Sequence, residues 1–386
     1  MNSLSSKIQL PRGWKWQKFE DVCEIISGKN QLKVANLKGK YPIYGSSGIF
    51  GYADEYLCNE GTTVVGRKGT INRPLFVKTK FWNVDTAFGL SPNENYDNKL
   101  LYYFCLSFNF HKLDKSTTIP SLAKRDLLTI DIPLPPKPTQ QAIVSKIEEL
   151  FSELDKGIEN LHTAQQQLKI YRQSILKWAF EGKLTPNLTE WIYKPFKNSL
   201  KFSQGIQVDV NLQSLIQKES YVRFLRIIDF TQGKDEHRFI KDPGERYFIN
   251  KDELALVRYG ATTGFVCSGK EGVIANNLFK VTAIDKIHNR YLFYFLNSTL
   301  FQNVIAQNIK GAAMPAISFG LINDVVIPIP STEEQHNIVQ AIESRLSVAD
   351  KMEESITQSL KQAEALRQSI LKKAFEGKLI SNNNNR

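Results

Sequence analysis

Between residues 140 and 180 the apolar side chains Ile143, Ile147, Phe151, Leu154, Ile158, Leu161, Leu168 and Ile175 advance by threes, fours and sevens. That spacing lays them along one face of a helix, and the stretch holds no proline and a single glycine, Gly157. A second stripe runs through Ile338, Ile342, Leu346, Ala349, Met352, Ile356, Leu360, Ala363 and Ile370. Both stripes are narrow, as in a coiled-coil seam, and predict two long helices packed on each other. Thr139 is the expected cap of the first, and Ser331 with Glu334 three residues on forms a capping box for the second. Gly182 and Gly377 stand where a left-handed glycine ends a helix. A helix of about 40 residues at about 1.5 Å each gives a rod of roughly 60 Å, close to two turns of B-DNA at about 34 Å per turn.

Residues 41–90 and 253–281 differ in kind: β-branched and aromatic residues broken by glycine, which predicts strands. Proline-rich runs at 132–138 and 327–330 connect these segments to the helices. The resulting division is 1–138 and 185–330 as two mainly β domains with a few helices, and 139–184 and 331–382 as helical segments.

The pattern occurs twice. RQSILKWAFEGKL at 172–184 and RQSILKKAFEGKL at 367–379 agree at twelve of thirteen positions, 195 residues apart. At the same offset Gln140 matches Gln335, Ile147-Glu148 matches Ile342-Glu343, and Ile132-Pro133-Leu134-Pro135 matches Ile327-Pro328-Ile329-Pro330. Further upstream the offset becomes 191, aligning Arg67-Lys68-Gly69 with Arg258-Tyr259-Gly260 and Phe104-Cys105 with Phe295-Leu296. A period this long is a duplicated domain rather than a solenoid, and predicts pseudo-two-fold symmetry.

Charge adds a partner. The 50 Lys+Arg against 39 Asp+Glu give a net charge of +11 and favour a polyanion such as nucleic acid. Arg67, Lys68, Arg73, Lys78 and Lys80 lie in one acid-free run interleaved with Thr70, Asn72 and Phe76, a mixture suited to phosphate and base-edge contacts. Lys112, Lys115, Lys124 and Arg125 follow against a single acid, Asp114; Lys115, Lys124 and Arg125 are taken as DNA-binding candidates. In the second copy the candidates are Arg223, Arg226, Arg246, Arg258, Tyr259, Asn276, Asn277 and Lys310. Arg67 and Arg258 match beside a turn glycine, while Asp85-Thr86 stand opposite Asn276-Asn277. Different polar side chains on equivalent backbone are expected of one scaffold reading two short sequences.

Enzymatic chemistry is poorly represented. The G-x-x-x-x-G-K spacing at 264–270 is followed by Glu271 where a phosphate loop needs Ser or Thr, and then by strand-like Val273-Ile274. The glycine-rich 45–51 reads as a tight hairpin, and the E-x-K of Glu181 to Lys183 and Glu376 to Lys378 has no Pro-Asp partner. Cys23, Cys58, Cys105 and Cys267 have no metal or disulfide spacing and read as small buried hydrophobes. No catalysis and no metal are expected. No apolar run approaches the ~20 residues of a membrane span, and the start lacks a signal-peptide core, so a cytoplasmic protein without membrane contact is expected.

Over essentially its whole length the chain resembles the DNA specificity subunit of type I restriction-modification systems. The resemblance rests on the duplicated layout, the two Ile-Pro-x-Pro junctions and the two R-Q-S-I-L-K-x-A-F-E-G-K-L phrases. Thr139-Gln140 departs from the family's Glu-Gln, which Glu334-Gln335 keeps. The resemblance implies an α+β fold: two mainly β target recognition domains, each reading half of a split asymmetric sequence in double-stranded DNA, and two long antiparallel coiled-coil helices that set the unread spacer. It implies docking of two adenine methyltransferase subunits and, in complete systems, two restriction endonuclease subunits. S-adenosylmethionine, and ATP with Mg, would then be held by those partners and no cofactor by this chain. Ile175, Leu176, Ala179 and Phe180, with Ile370, Leu371, Ala374 and Phe375, are the expected docking residues; packing of these helix ends against the other unit within the chain is a second expectation, compatible with the first. An independent methyltransferase or nuclease with a diverged motif, and a coiled-coil scaffold without a DNA role, are the alternative functions.

Overall fold

A computed structural model describes residues 9–186, 190–232, 236–309 and 315–380. The chain divides into two compact units, Met1–His162 with Thr357–Arg386, and Thr163–Ile356.

The first unit runs through β1 (Lys15–Lys18), α1 (Phe19–Val22), β2 (Cys23–Ser27), β3 (Tyr41–Gly45), β4 (Gly48–Ala53), β5 (Thr63–Gly66), β6 (Leu75–Phe76), β7 (Trp82–Asn83), β8 (Ala87–Pro92), α2 (Asn98–Ser107), α3 (Lys124–Leu128) and β9 (Asp131–Leu134) into α4 (Lys137–Phe180). Antiparallel β2-β8-β5-β6 forms the central sheet, β4-β3-β7 a smaller mixed one, and β1 pairs with β9 so that Trp16 faces Pro133. All four residues of β5 are buried, so its continuous apolar character marks a strand covered on both faces. Phe19, Leu90, Leu100, Leu101 and Phe104 form the core with Ile143, Ile147 and Phe151 of α4, and with Ile370, Leu371, Ala374 and Phe375 from the last helix of the chain.

The second unit repeats this plan with β10 (Ile192–Pro195), α5 (Phe196–Ser199), β11 (Leu200–Gln204), β12 (Tyr221–Leu225), α6 (Ile227–Thr231), β13 (Arg238–Lys241), β14 (Phe248–Ile249), β15 (Leu254–Val257), β16 (Val266–Cys267), β17 (Gly272–Ile274), β18 (Leu278–Ala283), α7 (Asn289–Asn297), α8 (Thr299–Ile309), α9 (Phe319–Ile322), β19 (Val326–Ile329) and α10 (Thr332–Phe375). Its central sheet is β11-β18-β15-β16, and β10 pairs with β19 as β1 does with β9. The G-x-x-x-x-G-K stretch is a turn leading into β16, with Gly264 N–H donating to Val257 O.

Duplication is visible bond by bond. Gln140, 2% exposed, accepts from Asp97 N–H at 2.7 Å and donates to Asn95 O and Pro135 O, both at 2.9 Å. Gln335 accepts from His288 N–H and donates to Lys286 O and Pro330 O at 2.8, 2.9 and 3.1 Å. Each glutamine thus ties a helix start to the loop before α2 or α7 and to its own proline run. A third register of 177, marked by few matching residues, carries Trp14 onto Trp191 and Phe19 onto Phe196.

Helix boundaries differ from expectation at one end. Thr139 does not cap α4, which begins at Lys137; Gln140 N–H donates to Pro136 O, and Pro138 is accommodated in a first turn that needs no donor there. Ser331 Oγ does accept from Glu334 N–H at 3.2 Å, while the fully buried Glu334 carboxylate accepts the Trp191 indole N–H at 2.8 Å. Gly182 (φ +70°) and Gly377 (φ +69°) end the helices, with Lys183 N–H reaching Trp178 O and Lys378 N–H reaching Lys373 O.

Within each unit the long helices pair antiparallel. In the first, Arg367 lies 4.6 Å over the Phe151 ring and ion-pairs with Asp155. In the second, Arg172 bridges Asp350 at 2.7 Å and Glu353 at 2.9 Å. Met352, placed in the seam by its spacing, is 53% exposed; the neighbouring Glu353 turns inward to meet Arg172 instead. No helix among the described residues is long and apolar enough to cross a membrane. All four cysteines are buried free thiols, and burial pushes those of Cys23 and Cys58 up to about 12.

Candidate nucleic-acid interface

One loop is built identically in both units. Arg67 N–H donates to Thr86 O and Arg67 O accepts from Leu122 N–H, both at 2.8 Å; Gly69 N–H donates to Pro120 O at 2.9 Å, and Lys68 bridges Ser121. In the second unit Arg258 N–H donates to Asn277 O at 2.8 Å, Arg258 O accepts from Ile317 N–H at 2.7 Å, Gly260 N–H donates to Pro315 O at 3.1 Å, and Tyr259 bridges Ala316. Gly69 (φ +81°) and Gly260 (φ +102°) permit the left-handed turn. Three segments remote in sequence are thereby pinned together at each site.

The pinning gathers charge. In the first unit Arg67, Lys68, Lys115, Lys124 and Arg125 line a cleft of about 590 Å³ together with Phe88 and Asp126. The Arg67 side chain is held in place: Nη1 donates to Asp85 O at 3.3 Å and the guanidinium lies 5.9 Å from the Phe88 ring centre. Lys115 pairs with Asp126 at 2.9 Å, and Arg125, with a side chain 84% exposed, comes within 3.9 Å of the same carboxylate. Asp114 shapes the rim of the cleft, accepting from Ser116 Oγ (2.6 Å), Ser116 N–H (3.0 Å) and Ser121 N–H (3.1 Å). The Ser116 hydroxyl bond, followed by those backbone donors, holds its carboxyl below the usual carboxylate range.

Other candidates are placed elsewhere. Asn72 is structural: its Oδ1 accepts Phe110 N–H at 2.7 Å. Arg73 and Lys78 are exposed but form no part of the cleft, and Lys80 lies 4.5 Å over the Tyr56 ring with Nζ 3.1 Å from its hydroxyl. Arg223 and Arg226 clamp the fully buried Asp229, at 2.5 and 3.1 Å, and Arg226 also donates to Glu236 O. Removing either would uncover a buried carboxylate, so both arginines belong to the fold of the second unit rather than to a free basic surface. Arg246 is exposed against Tyr247, and Asn276 donates to Gln207 Oε1 at 3.1 Å. Asn277 Oδ1 is buried without a hydrogen bond, while Arg258 and Tyr259 are half-buried and make no ion pair among the described residues. Lys310 lies outside the described residues.

The expected docking residues are packed inside the chain. Ile175, Ala179 and Phe180 are buried in the second unit's own core, where Phe180 meets Tyr291 and Phe295 edge-on at 5.1 Å each; Leu176 packs partly buried beside them. Ile370, Leu371, Ala374 and Phe375 occupy the same position in the first unit, with Phe375 5.4 Å from Phe104. The repeated phrase is repeated because each long helix ends inside a sheet domain's core. Trp178, 40% exposed, is the phrase's large aromatic left on the surface.

Two sheet domains of one design, each with a pinned loop at matching positions and different side chains on it, define a duplicated recognition protein. The family model of the type I restriction modification DNA specificity domain matches residues 11–162 and again 215–362, and the chain belongs to that family. It is 22% identical over 412 residues to the type I restriction enzyme EcoDI specificity subunit of Escherichia coli, covering 97% of this chain and 90% of that one. A chain from a structure on complex assembly and conformational transition of the type I R-M system superposes with a TM-score of 0.77 at 17% identity, over 96% of this chain and 99% of that one. The HsdS subunit from Thermoanaerobacter tengcongensis gives 0.63 at 17% identity, over 98% and 100%. At that identity the two structures share the fold.

Proposed function

We propose that the chain reads a split DNA sequence for a type I restriction-modification complex, the sheet domain in 1–138 reading one half and that in 185–330 the other, with 139–184 and 331–382 as the helical spacers. The observation that carries this is the doubly built loop: the same backbone bonds hold Asp85 and Thr86 beside the first loop and Asn276 and Asn277 beside the second. Phosphate contacts from the cleft would fix register, and side chains differing between the loops would select bases. The chain itself would be non-catalytic. Adenine methylation would be done by two modification subunits holding S-adenosylmethionine, and cleavage by two restriction subunits using ATP and Mg where a system has them.

The test is methylation-sensitive single-molecule sequencing of DNA from cells expressing the chain with the modification subunit of its own system, compared with the modification subunit alone. One split motif should appear only with the chain. Arg67→Ala should relax one half of it and Arg258→Ala the other. Absence of any motif with an active modification subunit refutes the reading, as does equal damage to both halves by either variant.

A further inference from the structure

We propose that the β3–β4 hairpin, with its Ser46-Ser47 turn and the side chains of Ile49 and Phe50, is the part of the first unit that enters a groove of the duplex and selects bases there. This rests on the reading of that unit as a DNA-recognition domain and names the residues that discriminate.

The hairpin exposes what a soluble edge ordinarily hides. β4 is the outer strand of β4-β3-β7, yet Ile49, Phe50 and Tyr52 are 52%, 56% and 46% exposed. Single exposed apolar residues are ordinary; three within four positions are a liability on an outer strand that residues 34–36 cover only at its far end, around Tyr52 and Ala53, unless a partner covers the rest. Phe50 is held outward rather than folded in: its register is bulged between Ile43 and Tyr44, and its ring packs over Gly45, where a Cβ would come within 3.2 Å of it.

The tip stands beside the pinned basic loop. A Cβ on Gly66 would lie 3.0 Å from Ser46 Cβ, and one on Gly69 would lie 3.7 Å from Ser46 Oγ, so the turn abuts both flanks of Arg67-Lys68. Residues 28–86, the stretch of sequence that contains the hairpin and the Arg67-Lys68 loop, carry nine basic side chains against four acidic ones, a balance that favours a polyanion. A two-stranded ribbon fits the ~12 Å major groove, where apolar side chains meet the thymine methyl group while flanking cations meet phosphate.

The second unit supplies an independent observation. β12 occupies the place of β3, running parallel to β17 through Phe224 and Val273 as β3 runs parallel to β7 through Ile43 and Trp82. Its partner β13 follows only after residues 226–237, which include α6, whereas the turn between β3 and β4 is residues 46–47 alone. The scaffold is duplicated bond by bond and this tip is not, as required of the element in which two reading heads differ.

The experiment is the Ile49→Ala/Phe50→Ala double variant of the full chain in its modification complex, with methylated motif and methylation rate as readouts. Both side chains are exposed, so the melting transition should stay at the wild-type temperature. The first unit's half-site should become degenerate at one or two positions, with methylation at the native site falling about tenfold and the other half-site unchanged. Phe50→Leu, which keeps an apolar side chain on the strand, should alter preference at the same position. An unchanged motif and rate in both variants, or equal loss at both half-sites, overturns the assignment to this hairpin while leaving the wild-type split motif, and with it the functional reading, intact. A wild-type complex that methylates no split motif removes the reading itself.

Discussion

Replacing Lys68, Lys124 and Arg125 together by alanine isolates the electrostatic work of the cleft. These are the lining cations that the fold leaves most available: all three are exposed, whereas Arg67 is tethered to Asp85 O and Lys115 is offset by Asp126 at 2.9 Å. Each phosphate contact contributes about −0.9 to the slope of log K against log salt, so losing three should make the slope shallower by about 2.7. Between about 50 and 200 mM salt, a fourfold change, the variant should lose roughly 1.6 fewer decades of affinity than the wild type. Exposed substitutions of this kind change stability by within about 0.5 kcal/mol, so unfolding does not confound the comparison. The assay is fluorescence anisotropy of a labelled duplex across that salt range, with target and scrambled sequences in parallel. Phosphate contacts carry no sequence information, so both duplexes should show the same change. A slope within about 0.5 of wild type would sink the placement of phosphate in this cleft, and a change confined to the target would assign these residues to bases instead.

Gln140→Leu removes three hydrogen bonds of a buried side chain and leaves the Asp97 N–H without its acceptor, a cost of about 2–4 kcal/mol. Hydrogen exchange should accelerate in first-unit peptides and not in second-unit peptides, where Gln335 is intact; uniform acceleration would contradict the independence of the two latches. Phe180→Ala should destabilise the second unit by about 3–5 kcal/mol through the cavity left against Tyr291 and Phe295. Trp178→Ala, two positions away and exposed, should cost less than about 1 kcal/mol. Comparable losses for the two in a denaturant titration followed by hydrogen exchange would mean that Phe180 is not a core residue.

Much of the architecture was written locally. Helical spacing of Ile143, Ile147 and Phe151, glycines at 182 and 377, and offsets of 195 and 191 all concern neighbours along the chain or identical phrases, so they can be read without a fold. The register of 177 could not, because little beyond Trp14/Trp191 and Phe19/Phe196 survives in it. Periodicity also says that a face is apolar without saying what it meets. The face of Ile175, Ala179 and Phe180 suggested a partner protein, and it meets Tyr291 and Phe295, more than a hundred residues away. Charge was legible as composition but not as availability: Arg223 and Arg226 count as cations beside Asp229 in the sequence, and only the burial of that carboxylate by the fold shows them taken.

The cleft is the converse case. Arg67-Lys68 and the run from Lys115 to Arg125 lie some fifty residues apart and are separate basic runs in the sequence. The Lys68–Ser121 bridge and the Leu122 N–H to Arg67 O bond bring them to one place. The amino-acid sequence by itself determined the elements and their duplication, because propensity, spacing and capping act over a few residues. Which side chains remain free to meet DNA was decided only by tertiary structure, because burial, which fixes whether a nearby charge is held as a partner or left in solvent, depends on groups that the chain brings together across long intervals.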